Sequence, residues 1–447
     1  MSGPMWICAI VIGIHRRQVL RPACLAVITL VLSTAVAPAQ PPQQNAAGEA
    51  GDAAVFRPVA GSFPPLERAV TYRGELVFVD HANRRGSLRV QGSGMFFRND
   101  PHPFALLPYA VVRYRTAPAD LRDVPLGTVM HAHAFLPPDP LTSSVPVLPL
   151  DSGKQDANHN RGAGIFPAEN HVLLLEDDPS HCRRLGLTWR LTDIEIRNLA
   201  GSLTAVRESA TAGAAPQAAE TLTFDAATRV WRGRELLSVE ELVEEQIWPS
   251  EGKRSLEMTG LLLGITWRPT PDGVFTRFHV SDIWLDEAAM QRAAKQQTEV
   301  HRAFIRSRWM PAWIDRVEYG KFGRARVTAT LFGGMDESLY ADFRTGDSAM
   351  INAVEATLKH THGAYGPAHM ASRGTILSVT RSETAPPLGS SGVQIQFETD
   401  LIIEGIRAGR TVRIRPGGWP LVQVPREEYL NDGVEERFPR PDIFPKY

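Results

Sequence analysis

At 447 residues, with 43% hydrophobic and 22% charged residues, the chain has an ordinary globular composition and enough length for two to four domains. A formal net charge of −1 supplies no long-range field to gather polyanions. Only six lysines stand among the 48 basic residues, so the arginine bias reads as compositional rather than as a nucleic-acid surface, and no nucleic-acid partner is expected.

Residues 1–39 read as an export signal. Arg16, Arg17 and Arg21 form a basic region, ACLAVITLVLSTAVA an apolar core, and Ala37-Pro38-Ala39 a small-residue cleavage pattern before Gln40. Removing three arginines and no acids takes the net charge from −1 to about −4. A further apolar run, MWICAIVIGI, precedes the arginines, so either translation starts later or the segment stays as an uncleaved anchor. HRRQVL resembles a twin-arginine signal but lacks the usual flanking residues. Cys8 and Cys24 lie in the signal, which leaves Cys182 without an internal disulfide partner. Beyond residue 39 no apolar run approaches the roughly 20 residues of a membrane helix. The expected location is the periplasm, the cell envelope or the exterior. Residues 40–66, rich in Pro, Gln, Ala and Gly, read as a flexible linker.

The first unit, 67–185, opens with alternating strands at 72–80 and SLRVQG, then strands at 109–115 and 128–135. Pro118 and ADLRD form a short helical turn between the last two, and HVLLLED at 171–177 supplies a fifth strand after a Pro/Asn/Gly-rich excursion. The second unit, 186–310, has strands at 201–208 and 220–225. Ser238 and Glu241 make a capping box for a helix to about Trp248, and a long hairpin turns at 270–273. A linking helix capped by Asp286 carries Met290, Ala293, Ala294, Val300 and Phe304 at helical spacing, and Pro311 stops it. The third unit, 311–430, contains WIDRVEYGKFGRARVTATLFGG, a helix at 348–359 with Met350, Ile351, Val354 and Leu358 on one face, and strands GTILSVT, GVQIQFE, LIIEG and RTVRIRP. It holds either one larger barrel or two small ones split near 373. A charged, Pro-rich tail fills 431–447.

Placing a helix between strand pairs at the same point in successive units resembles the OB fold, a five-stranded Greek-key barrel. The predicted fold class is therefore mainly β: tandem OB-like β-barrel units with short inserted and linking helices, in an exported bacterial protein.

Signatures such as HExxH, CxxC, GxSxG and GxxxxGK[ST] are missing from the sequence. Histidine has the most suggestive spacing. His131 and His133 alternate on a strand, which puts both rings on one face, and His360, His362 and His369 cluster in a Gly/Pro-containing segment. Either set can offer ligands to a divalent metal, or else consists of solvated or structurally hydrogen-bonded histidines; no other cofactor is expected. Glu176 and Asp177, adjacent on a strand, point apart and do not read as an acid/base couple. Cys182, beside His181, Arg183 and Arg184, sits in a setting that could lower its pKa. Trp231, Trp267 and Trp284 are candidate stacking platforms for a ligand such as a glycan, or else core residues. These features favour a non-catalytic envelope or extracellular protein that binds a ligand or partner through barrel faces. The alternatives are a metal-assisted hydrolase using the histidines of 360–369, and a self-assembling structural repeat protein.

Overall fold

Period-2 alternation buries one face of each strand, and in this chain three such sets close into barrels. The computed structural model describes residues 56–59, 61–81, 84–90, 101–136, 170–209, 217–269, 276–352, 371–400 and 406–422, all within the unit spanning 55–447. The residues predicted as signal peptide, His360, His362, His369 and the tail lie outside the described residues.

Barrel 1 contains β1 (Val70–Asp80), β2 (Arg85–Val90), β3 (Pro101–Tyr114), β4 (Ala117–Ala119), β5 (Val129–Phe135) and β6 (Asn170–Asp177). β1 pairs with β2 and β5, β2 with β3, and β6 with β5; β6 then closes the barrel by pairing in parallel with β3. Leu76, Leu88, Phe104, Val112, Met130, Val172 and Leu175 fill the interior. A 3-10 turn at Leu121–Asp123, capped by Asp120, stands where the short helical turn was expected.

Barrel 2 repeats the wiring. Its strands are β7 (Leu187–Arg197), β8 (Ala200–Ser209), β9 (Glu220–Phe224), β10 (Arg229–Arg232), β11 (Glu235–Leu237), β12 (Gly252–Pro269) and β13 (Thr276–Trp284). β7 pairs with β8 and β12, β8 with β9, β12 with β13, and β9 joins β13 in parallel, while β10 and β11 extend the outer edge. One parallel closure and a short helix before the fourth barrel strand are shared by both barrels, so the OB-like reading holds. The second barrel's helix is α2 (Val239–Glu244; α1 is described with the site below). Its capping box is formed by Ser238 Oγ accepting from Glu241 N at 3.2 Å and Glu241 Oε2 accepting from Ser238 N at 2.7 Å.

The linking helix, α3 (Glu287–Arg308), is capped by Asp286 as expected. It ends at Trp309, whose φ of 68° leaves the helical region before Pro311 is reached. Its buried face runs through Met290, Gln297, His301, Ile305 and Arg308, whereas Val300, expected inside, is exposed. The difference arises because α3 packs on polar as well as apolar neighbours. Gln297 donates to Asp123 Oδ2 of barrel 1 (3.1 Å), and Arg302 and Arg306 pair with Asp336 and Asp342 of the third barrel.

Barrel 3 is a single closed ring, which removes the possibility of a split near 373. It contains β14 (Met310–Tyr319), β15 (Ala325–Phe332), β16 (Ser348–Asn352), β17 (Ser372–Arg381), β18 (Ser390–Thr399) and β19 (Thr411–Pro416), in the order β14-β15-β18-β17-β16-β19, all antiparallel. The start of the helix expected over 348–359 is strand β16. Its helical spacing loses to pairing on both edges, with Ala349 opposite Gly374 on one side and Pro416 on the other. The described helix of this unit is instead the short α4 (Glu337–Ala341), capped by Asp336.

Barrels 1 and 3 share an aromatic seam. The register of β3 against β6 slips between Leu106 and Val111, and Leu107 and Tyr109 join a cluster with Phe135, Leu173, Trp313 and Phe332. Gly389 (φ 93°) allows this approach, since a Cβ there would lie 2.9 Å from the Tyr109 carbonyl oxygen. Phe56 and Phe63 pack into the same cluster, with Phe63 edge-on to Tyr109 at 5.0 Å. Phe56, Phe63 and Leu66, within the expected linker of 40–66, therefore pack on this cluster.

His301 offers a direct check on the packing of α3. Burial pushes its pKa down to about 4, with Arg113 adding to the fall and Asp120 and Asp336 opposing it. The folded state thus prefers the neutral ring, and the unfolded chain takes up a proton first as pH drops below the ordinary histidine value. Stability is fully present above pH ~6.5 and is lost progressively toward pH ~4, by about 3 kcal/mol for this one group. His171 is shifted the same way by burial. Urea unfolding between pH 7.5 and 4.5 should show this loss, and His301→Gln should flatten the acid limb; an unchanged limb would contradict the buried neutral ring.

Candidate metal centre beside the joint of barrels 1 and 2

Strand β6 ends in two acids, and the chain turns at once into helix α1 (Asp178–Leu185). The local sequence dictates the turn. Asp177 is the N-cap and accepts from Ser180 N at 3.1 Å, Pro179 occupies the first turn, and Gly186 (φ 66°) closes the helix in the left-handed region. On neighbouring β5, Met130, Ala132 and Ala134 face the core of barrel 1. The alternate residues His131 and His133 therefore point out of the barrel, toward α1. Register pairs His131 with Glu176.

Two buried carboxylates organise the region. Asp178, 0% exposed, accepts from Arg207 Nη2 (2.6 Å) and His131 Nε2 (3.1 Å) on Oδ1, and from Trp189 Nε1 (2.7 Å) on Oδ2. Arg73 lies 3.6 Å from Asp178 and 2.8 Å from Glu220, and Arg207 also binds Glu220. Arg73 and Asp178 belong to barrel 1 and its helix, Arg207 and Glu220 to barrel 2, so alternating charges form a ring across the joint. Burial would raise the Asp178 pKa, but the charge of Arg207, the His131 hydrogen bond and Arg73 hold it well below the usual range. A β-bridge between Thr128 and Thr266, and Trp267 N donating to the Gly127 carbonyl (3.1 Å), run along the same joint.

The second carboxylate is Glu176. Its Oε1 accepts from His181 Nδ1 (2.9 Å) and Arg184 Nη2 (2.6 Å), and lies 3.8 Å from His133 Nε2. Burial acts to raise its pKa, and His133, His181 and Arg184 outweigh that, leaving it well below the ordinary value. His133, Glu176 and His181 each present a donor atom, all within 4.8 Å of one another. A tetrahedral zinc ion with bonds of ~2.0–2.1 Å holds its donors about 3.3–3.5 Å apart, a spacing inside the 4.8 Å limit of this set. His131 stacks flat on His181 (3.8 Å between centroids, 3° between planes) and is itself held by Asp178. That outer contact fixes the His181 ring plane.

Arg184 Nη2 marks the centre of the set. It lies 2.6 Å from Glu176, 3.1 Å from His133 Nε2 and 3.5 Å from His181 Nδ1. One guanidinium nitrogen, with two N–H groups, thus faces all three prospective ligands. The protein's own cation stands where an exogenous one would.

Of the residues singled out in the sequence, His131 and His133 are at this site, one as outer support and one as a prospective ligand. Glu176 and His181, which complete the set, were not anticipated as ligands. The readable signal was the run D-D-P-S…R-R-L-G, a capped eight-residue helix that returns His181 onto the end of β6. Cys182 is fully buried, and burial beside Asp178 raises its thiol pKa, the opposite of what its basic sequence neighbours would do and in keeping with an unreactive thiol. Trp267 and Trp284 are buried in the core of barrel 2, and Trp231 packs against that core with its Nε1 donating to Asp282 (2.9 Å). A cleft of about 180 Å³ beside Trp284 is smaller than the ~300 Å³ usual for small-molecule sites. No protein-family model and no curated protein matches the sequence.

Removing one member of the ring tests its role. Asp178→Ala leaves Arg207, with 8% of its side chain exposed, without its buried counter-charge and takes the acceptor from Trp189 Nε1. Thermal or denaturant unfolding should show a loss of about 3–5 kcal/mol, of which Asp178→Ala combined with Arg207→Met should recover a large part. A double-variant loss equal to the sum of the Asp178→Ala and Arg207→Met losses would show that the two side chains are not coupled.

Proposed function

We propose that this chain is an exported, non-catalytic binding protein of the bacterial envelope or exterior, and that its first barrel holds a divalent cation through His133, Glu176 and His181. The supporting observation is the convergence of these three donors on one nitrogen of Arg184. Two imidazoles and a carboxylate suit zinc or a similar borderline ion. Glu176 is 1% exposed and the two histidines 11% and 18%, which favours a closed, structural ion over one that admits a substrate. The export signal read in 1–39 supports the location, and the barrel faces remain the surfaces offered to a ligand, glycan or protein partner.

The ion's effect follows from where its ligands sit. His181 belongs to α1, which also carries Asp178 of the charge ring, whereas His133 and Glu176 belong to barrel 1. A bound ion therefore ties α1 to barrel 1 and stiffens the connection to barrel 2. Loading requires Arg184 to swing outward and His181 Nδ1 to release the proton it shares with Glu176. Arg184 is the most exposed of the four, at 30%, and stands in the last turn of α1 with solvent beside it.

Zinc titration of the full-length protein tests the reading. A ligand at 100 times its Kd stabilises the folded state by about 2.7 kcal/mol, so melting should shift upward and return on chelation. Arg184→Met removes the internal competitor and should tighten zinc binding at least tenfold, while His133→Ala with His181→Ala should abolish the shift. Failure of both the parent and Arg184→Met to take up zinc would refute the site.

A further inference from the structure

The β14–β15 hairpin ends in an unusual turn. Tyr319, Gly320, Lys321, Phe322, Gly323 and Arg324 are all exposed, and Phe322 is 95% exposed. Phe322 also holds φ 59° and ψ 35°, a left-handed conformation that is an outlier for a bulky residue. The turn is nonetheless well pinned, with Gly320 N donating to the Arg324 carbonyl at 2.8 Å. A large apolar ring is thus held in water on a fixed support, in a backbone conformation that a glycine would adopt at lower cost.

Basic residues predominate around it. Residues 316–326 carry Arg316, Lys321, Arg324 and Arg326 against the single acid Glu318, which pairs with Arg316 (3.2 Å) and approaches Arg326 (3.9 Å). Lys321 and Arg324, flanking Phe322, have no carboxylate partner among the described residues. Tyr319 lies behind the tip, 68% exposed.

We propose that this tip docks on an anionic lipid surface, with Phe322 entering the interfacial layer and Lys321 and Arg324 at headgroup depth. The geometry favours lipid over protein. A narrow convex tip cannot by itself supply the ~800 Å² per partner of a stable protein interface, and a protein would need a pocket shaped to receive it. A bilayer needs only an aromatic ring that tolerates the interface and cations that neutralise headgroups. The proposal does not depend on the cation site or on export.

Co-sedimentation of the full-length protein with phosphatidylcholine vesicles containing 30% phosphatidylglycerol tests it. Because the N-terminal apolar segment can add a constant background, the comparison is between parent and tip variants of the same chain. Phe322→Asp should lower the partition coefficient at least tenfold. Lys321→Glu and Arg324→Glu should each lower it about fivefold or more, with the difference from the parent shrinking at high salt. Unchanged melting would show that the variants are folded. Equal binding by parent and tip variants would overturn the proposal, as would tip-dependent pull-down of an acidic protein without tip-dependent vesicle binding.

Discussion

Two carboxylates where β6 runs into α1, Glu176 and Asp178, are taken almost completely out of water, and much of the joint between barrels 1 and 2 follows from how they are compensated. A buried carboxylate costs several kcal/mol unless charges and donors surround it. Asp178 is satisfied by Arg207 and Trp189 from barrel 2 and by His131 from barrel 1. The two barrels therefore cannot separate without exposing or orphaning it. Glu176 is satisfied within barrel 1 and its helix, by His181 and Arg184. One acid locks the barrels together and the other locks the helix between them.

This division explains why the site lies on α1 rather than in a barrel interior. OB-like barrels of this size are filled by their own side chains, and both cores here are apolar. Polar chemistry is left to the outer faces, and the only outer faces sheltered from water are those covered by a helix or a neighbouring barrel. His131 and His133 alternate with core residues and so must face outward. Outward, at this position, means toward α1. A pair of histidines on an uncovered strand would stay solvated; under α1 the pair becomes part of a desolvated set.

Much of the barrel pattern was legible in the sequence, although strand β7, which opens barrel 2, was not anticipated. Strand alternation, the Ser238–Glu241 capping box and the Asp286 cap are local features, and each stands where the periodicity placed it. Strand β16 was misread because Met350 and Ile351 fit a helical stripe, and only pairing with β17 and β19, distant in sequence, reverses the preference. The site was half legible. His131 and His133 announce a face, but Glu176 was set aside because adjacent acids diverge. That argument is correct for an acid pair and beside the point here, since Glu176 and Asp178 each find partners on other elements. Cys182 shows the same limit: its basic neighbours in sequence suggested activation, whereas its neighbour in space is the Asp178 carboxylate.

The repeat itself shows that the cluster belongs to barrel 1 and is not shared by barrel 2. In both OB-like barrels the last strand runs into a helix capped by aspartate, Asp177 in one and Asp286 in the other. Counting from these caps, the position of Glu176 is Leu285 in barrel 2 and the position of His181 is Met290, which is fully buried. The same architecture is thus built with apolar residues at the places where barrel 1 uses a carboxylate and an imidazole. Replacing buried ionic groups with well-packed apolar ones is often neutral or stabilising. The fold does not require the ionic set, and barrel 2 demonstrates the simpler solution within the same chain. What the ionic version adds is a set of convergent donors that accept a cation, at present the protein's own Arg184, and that property is the reason to look for function in barrel 1.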